Sequence, residues 1–196
     1  VMWVKGSGSD LATMKAHNFT GLKLEDIRPL IERDEMSDEE MEAYLSHCMI
    51  DHKHPRPSIE TLLHAFLPFK HVDHTHPDAI ISICCADNGK QIAEEIYGSG
   101  FVWVPYVRPG FTLSKLIAEG VKNNPNAELV LMEKHGLVTW GDTSEECYAK
   151  TISIINEAEN YIKERIDEEK AFGGLKYKAL SKDERKEILA EILPVI

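Results

Sequence analysis

Short apolar runs of strand length alternate with amphipathic stretches of helical period along the whole chain, and proline or glycine stands at most junctions. Val1 to Lys5 reads as a strand, followed by the small-residue loop Gly6 to Asp10, with Asp10 capping a short helix through Met14. Lys23 to Arg33 is acidic and amphipathic, interrupted at Pro29, and Ser37 with Glu40 forms a capping box that opens a helix toward Met49. Ser58 is placed to cap a third helix that Pro68 stops, and Lys70 to Thr75 alternates as a strand does. Helices are predicted over Asp78–Ala86, Gln91–Tyr97 and Thr112–Lys122, and strands over Phe101–Val104, Glu128–Met132 and Leu137–Trp140. Thr143 to Lys170 is predicted as one long helix with apolar positions at Ile152, Ile155, Ala158, Ile162 and Ile166. Gly173 and Gly174 break the chain, and Ser181 caps a last helix through Leu193. Such interspersion excludes an all-helical or all-strand fold. It leaves an α/β or α+β class with helices on both faces of a sheet.

Charge narrows the partners. The 196 residues carry a formal net charge of −11, which repels polyphosphate on average and argues against nucleic acid. No apolar run approaches the ~18 residues a membrane span needs, and the first residues lack the apolar core of a signal peptide. The four cysteines include the adjacent pair Cys84-Cys85, which suits neither a disulfide framework nor a zinc ribbon. Free thiols in a reducing cytoplasm are expected.

Histidine is distributed unevenly. Seven of the nine lie between His47 and His76. Within them His74-Thr75-His76 has the spacing that puts two side chains on one face of a strand, where both imidazoles can hold one cation. His71 has the opposite parity and is excluded. Zinc sites that do chemistry usually take three protein ligands, and the best third candidate is His135, between a strand and Gly136. Gly136 would let the backbone turn sharply there. His52 and His54 read as solvated loop residues, and His17 and His47 fit no pattern.

Glu60 opens the helix behind Ser58, with His64 four residues on and on the same face. A carboxylate there is either solvated at a helix N-terminus or a general acid/base beside the metal. No H-E-x-x-H motif is present, so a metalloprotease is not supported. Gly6-Ser7-Gly8-Ser9 between a strand and a helix N-terminus offers backbone donors for a phosphate, or is simply a turn. It is neither a P-loop nor a dinucleotide fingerprint.

In this order, Gly6-Ser7-Gly8, Ser58-Ile59-Glu60, His74-Thr75-His76-Pro77 and Lys134-His135-Gly136-Leu137 resemble the class II aldolase/adducin family. The motifs run from Lys5 to Gly141, and the wording is especially similar to the aldolase portion of bacterial bifunctional rhamnulose-1-phosphate aldolase/lactaldehyde dehydrogenases. The resemblance implies a three-layer α/β/α fold with a central, mostly antiparallel sheet. It implies Zn²⁺, or another divalent transition metal, on His74, His76 and His135. It assigns Glu60 as acid/base and Ser7, Gly8 and Ser58 as phosphate contacts. It also implies a homotetramer and a phosphorylated sugar substrate, cleaved to dihydroxyacetone phosphate and L-lactaldehyde. The family's catalytic tyrosine matches neither Tyr97 nor Tyr106 by motif. Residues 1–196 are expected to form one such domain, lacking the family's N-terminal segment and any dehydrogenase half. Pentulose-phosphate 4-epimerases typically carry Asp where Glu60 stands. Methylthioribulose-phosphate dehydratases share a stretch like Ser58 to His64, and an adducin-like interaction module is the non-enzymatic alternative.

Overall fold

The computed structural model describes residues 1–171, 173 and 179–193. Two compact units are present, Val1–Tyr161 and Ile162–Ile196. In the first, an antiparallel ribbon pairs β1 (Met2–Lys5) with β2 (Phe19–Leu22). The second sheet has the order β3-β6-β5-β4, built from β3 (His71–Thr75), β4 (Phe101–Val104), β5 (Leu129–Met132) and β6 (Gly136–Gly141). Both ladders of β6 are antiparallel, and only β4 and β5 run parallel. The central sheet is therefore mostly antiparallel, as expected.

Helices cover both of its faces. Val102, Val104, Val130, Met132, Val138 and Trp140 share one face and form a core with Leu63 and Leu67 at α3 (Thr61–Phe66), and with Leu113, Ile117 and Val121 of α6 (Phe111–Asn123). The other face meets α4 (Asp78–Cys84), α5 (Gly89–Tyr97) and α7 (Ser144–Arg165). There the Thr139 and Thr151 hydroxyls are hydrogen-bonded at 2.6 Å, and Trp103 packs against Gly89. Every residue of β5 is buried, as a strand covered on both faces must be. A second core joins the ribbon to α1 (Leu24–Ile27), α2 (Asp38–His47) and the opposite side of α3 through Val4, Leu22, Ile27, Met41, Leu45, Leu62, Ala65 and Phe66. α3 thus lies between two cores.

The caps at Asp10, Ser37 and Ser181 form as their sequences predict. Three expectations change. The strand Phe19–Leu22 is not legible in a four-residue run containing Gly21; it forms because β1 offers it a partner. The predicted long helix ends at Arg165, and α8 (Glu168–Ala171) starts anew. The buried stripe of α7 is Cys147, Thr151, Ile154 and Ala158, while Ile152 and Ile166 are exposed. Counting only apolar residues missed it, because Thr151 enters the interior by hydrogen-bonding Thr139, the Cys147 carbonyl and Asp73. The second unit contains the end of α7, α8 and α9 (Lys182–Ile192), which has no buried residue. Gly174 lies outside the described residues.

Candidate functional site

Glu60 stands at the N-cap of α3, and Ser58 shapes the turn in front of it. The Glu60 amide donates to Ser58 Oγ at 3.2 Å, and Thr61 Oγ1 donates to the Ser58 carbonyl at 2.6 Å. The regular helix therefore begins at Thr61, with Ser58 capping the turn that carries Glu60. The carboxylate is largely enclosed at 19% exposure.

β3 presents His74 toward α3, and His76 follows just past its end. His135 comes from the three-residue turn Glu133–His135 between β5 and β6. That turn works through Lys134, which adopts a left-handed φ of 55° with its amide bonded to the Cys84 carbonyl at 3.0 Å. Gly136 is not the turning residue expected from its position. It is small for a different reason: a Cβ there would lie 2.6 Å from both His76 Cδ2 and the Thr75 carbonyl oxygen.

Four side chains converge as a result. Glu60 Oε1 is 3.0 Å from His74 Nε2 and 3.0 Å from His135 Nε2, and His76 Nε2 is 3.0 Å from His74 Nε2. One donor atom from each of the four lies within 4.8 Å of the others. His71 is outside the group, as its parity requires.

This group could hold a cation. His74 Nδ1 lies 2.9 Å from the Leu137 carbonyl, so it carries the proton and donates it there. The Nε2 of His74 then faces the Glu60 carboxylate and His76 Nε2. Nitrogen and carboxylate oxygen atoms meeting at that range need positive charge, a proton or a cation, between them. Imidazole nitrogens on a tetrahedral Zn²⁺, each at ~2.1 Å, sit about 3.4 Å apart. The spacing here and the all-imidazole donors fit such an ion. The Leu137 carbonyl is the partner that usually orients a ligating histidine. His135 Nδ1 is buried with no partner among the described residues.

Burial of Glu60 disfavours its charged form, but the hydrogen bonds and charges of His135 and His74 outweigh it and hold the carboxyl well below the usual range. Burial, then the charges of His74 and His135, push His76 below its ordinary value.

Ser7 and Gly8 are exposed and lie outside this cluster. The Ser7 amide donates to the Arg56 carbonyl at 2.7 Å, and Gly6 bridges to Pro57, so the loop docks on the segment leading into Ser58. Gly8 has φ 80°, which only glycine adopts freely. Lys15 and His17 line a cavity of about 460 Å³ with Gly8, Ser9 and Asp10. Neither had a sequence signal, because the intervening chain has no periodic pattern. The Tyr97 hydroxyl is committed to the Ile154 carbonyl at 2.8 Å, whereas Tyr106 is exposed with its amide on Glu133 Oε2. No helix among the described residues is long and apolar enough to cross a membrane.

Comparison with known proteins agrees with this layout. A Bacillus subtilis (strain 168) protein described as "Uncharacterized oxidoreductase YuxG" is 81% identical over all 196 residues. The chain spans 28% of that relative's length. The solved N-terminal class II aldolase domain of a conserved Thermoplasma acidophilum protein is 42% identical with a TM-score of 0.75, over 81% of this chain and 73% of that one. A solved L-fuculose 1-phosphate aldolase shares the fold alone, at 14% identity and a TM-score of 0.57, over 98% of this chain and 80% of its own. The family model described as the Class II Aldolase and Adducin N-terminal domain matches residues 1–162. The chain belongs to that family.

Proposed function

We propose that this chain is a metal-dependent aldolase domain that reversibly cleaves a ketose 1-phosphate, with L-rhamnulose 1-phosphate as substrate and dihydroxyacetone phosphate and L-lactaldehyde as products. The observation that carries the reading is the convergence of Glu60 on His74, His76 and His135. His74, His76 and His135 would hold Zn²⁺ or a similar divalent ion, with Glu60 left to move protons. Bound there, such an ion supplies Lewis acidity toward a carbonyl oxygen and the negative charge that builds up when a carbon–carbon bond breaks beside it.

The remaining work falls to the chain. Glu60 Oε1 returns a proton to the carbon released by cleavage, or removes it in the synthetic direction. The turn tied by Ser58 holds that oxygen in place. His74 keeps its Nε2 lone pair directed inward by donating from Nδ1 to Leu137. The Gly6 and Ser7 amides are bonded to the Asn18 and Arg56 carbonyls, so the loop would meet the substrate phosphate through the Gly8 and Ser9 amides and the Ser7 hydroxyl. In a chain of net charge −11, phosphate capture has to be local. The description of the Bacillus relative as an oxidoreductase belongs, on this reading, to the part of its length outside the match.

The test is product analysis with rhamnulose 1-phosphate, with and without chelator and with Glu60→Gln. Cleavage to the two carbonyl products supports the reading. A dehydrated or epimerised product replaces it with one of the two related reactions, and absence of bound metal favours an adducin-like module. Sedimentation of the same sample measures the expected tetramer.

A further inference from the structure

β4 and β5 run parallel, with Val102 beside Val130 and Val104 beside Met132. Their ladder continues one bond past the end of both strands, where the Glu133 amide donates to the Val104 carbonyl at 2.9 Å. In a continued parallel ladder the next bond runs from the N–H two residues beyond that carbonyl, here Tyr106, to the main-chain carbonyl of Glu133. Pro105 stands between and has no N–H to offer. The Tyr106 amide instead donates to the Glu133 carboxylate, 3.0 Å from Oε2. The side chain of Glu133 thus accepts the bond that its own carbonyl would take if β5 went on, at the point where the chain turns away.

The turn that follows is strained. Lys134 has the left-handed φ of 55°, which disfavours a residue with a Cβ, and His135 comes directly after it. Three ties hold it: the Lys134 amide on the Cys84 carbonyl at 3.0 Å, the His135 amide on the Met132 carbonyl at 3.1 Å, and the Glu133 carboxylate on Tyr106. Of these the last alone is made by a side chain. The other carboxylate oxygen, Oε1, lies 3.7 Å from Lys134 Nζ, so Glu133 faces both the loop after β4 and the turn itself. We propose that Glu133 is a positioning residue: by closing the β4–β5 ladder at Tyr106, it fixes the turn that brings His135 to His74 and His76. This rests on the reading above, in which His135 holds the ion. Glu133 is not one of the four converging side chains and acts only through the turn.

The experiment compares Glu133→Ala and Glu133→Leu, which have no acceptor, with Glu133→Gln, which keeps an oxygen in place. Competition with a chromogenic chelator is expected to show Zn²⁺ affinity at least ~10-fold weaker in the acceptor-free variants, and within about threefold of wild type in Glu133→Gln. The visible absorption of Co²⁺-loaded protein reports ligand geometry. It is expected to shift in Glu133→Ala and Glu133→Leu and to match wild type in Glu133→Gln. Hydrogen exchange at the His135 amide, measured on metal-free protein, is expected to be at least ~10-fold faster in the acceptor-free variants only. Wild-type affinity, absorption and His135 exchange in a folded acceptor-free variant overturn the proposal. Equal loss in all three variants also overturns it, since the charge of Glu133 and not its hydrogen bond would then matter. A wild-type protein that binds neither Zn²⁺ nor Co²⁺ counts against the metal reading, and His135 exchange then decides for or against Glu133 on its own.

Discussion

Gly136 lies directly against the ring of His76: a Cβ on Gly136 would come within 2.6 Å of His76 Cδ2. The Thr75 carbonyl oxygen would be equally close, so the added methyl has backbone on one side and a ring of the cluster on the other. Gly136→Ala is therefore expected to displace His76 and weaken metal binding. A loss of roughly 10- to 100-fold in Zn²⁺ affinity, the scale seen when a ligand's support is disturbed, should appear by competition with a chromogenic chelator.

Glu60→Gln keeps the shape of the side chain and removes its proton chemistry. Turnover is expected to fall by about 10²- to 10⁴-fold, the usual contribution of a positioned acid or base. Zinc content should stay near one ion per chain, since three imidazoles remain. Metal analysis alongside steady-state kinetics checks both halves.

Removing the ion should abolish cleavage and leave the fold in place, because two apolar cores hold the sheet and helices without it. Treatment with chelator followed by Zn²⁺ or Co²⁺ is expected to restore activity. Far-ultraviolet circular dichroism should not change through the cycle. Collapse of the spectrum on chelation would contradict this.

His64 gives the metal-free protein a specific acid response. Burial, with the positive charge of His74 next, lowers its pKa from 6.5 to about 4. The unfolded chain then binds a proton below pH 6.5 that the folded chain refuses until about pH 4. Stability is fully present above pH 6.5 and falls as pH drops through that window, by up to ~1.4 kcal/mol per pH unit from this group. His76, shifted in the same direction, adds to the slope. Urea titrations from pH 7 to 4.5 should show the decline, and His64→Leu should flatten it.

Thiol reactivity should single out one cysteine. Cys85 is exposed, while Cys48, Cys84 and Cys147 are buried. Burial raises Cys84 to about 12 and Cys147 to about 11, so neither forms thiolate near neutrality. One equivalent of a thiol-specific reagent is expected to react with native protein at pH 8, and four after denaturation.

Much of the fold and of the site was legible in the sequence wherever a local rule was in force. The capping box at Ser37, the parity that unites His74 with His76 and rejects His71, and the alternation of strands with helices depend only on neighbours in the chain. The structure also brings His135, expected at a strand junction, beside His74 and His76. Long-range pairing decided the rest. β2 exists because β1 pairs with it, and Thr151 is buried because its hydroxyl is hydrogen-bonded with Thr139 and Asp73. Gly136 is small because His76 occupies the space, while Lys134 makes the turn. His64 could be seen on the face of Glu60, but its place beside Lys70, His71 and Val72 appears only once β3 is folded beside α3. Sequence alone determined which groups could do chemistry, because side-chain type and spacing are local properties. Tertiary structure decided which atoms meet, because a distance of 3.0 Å between Glu60 and two histidines 14 and 75 residues away is set by how two cores pack around one helix.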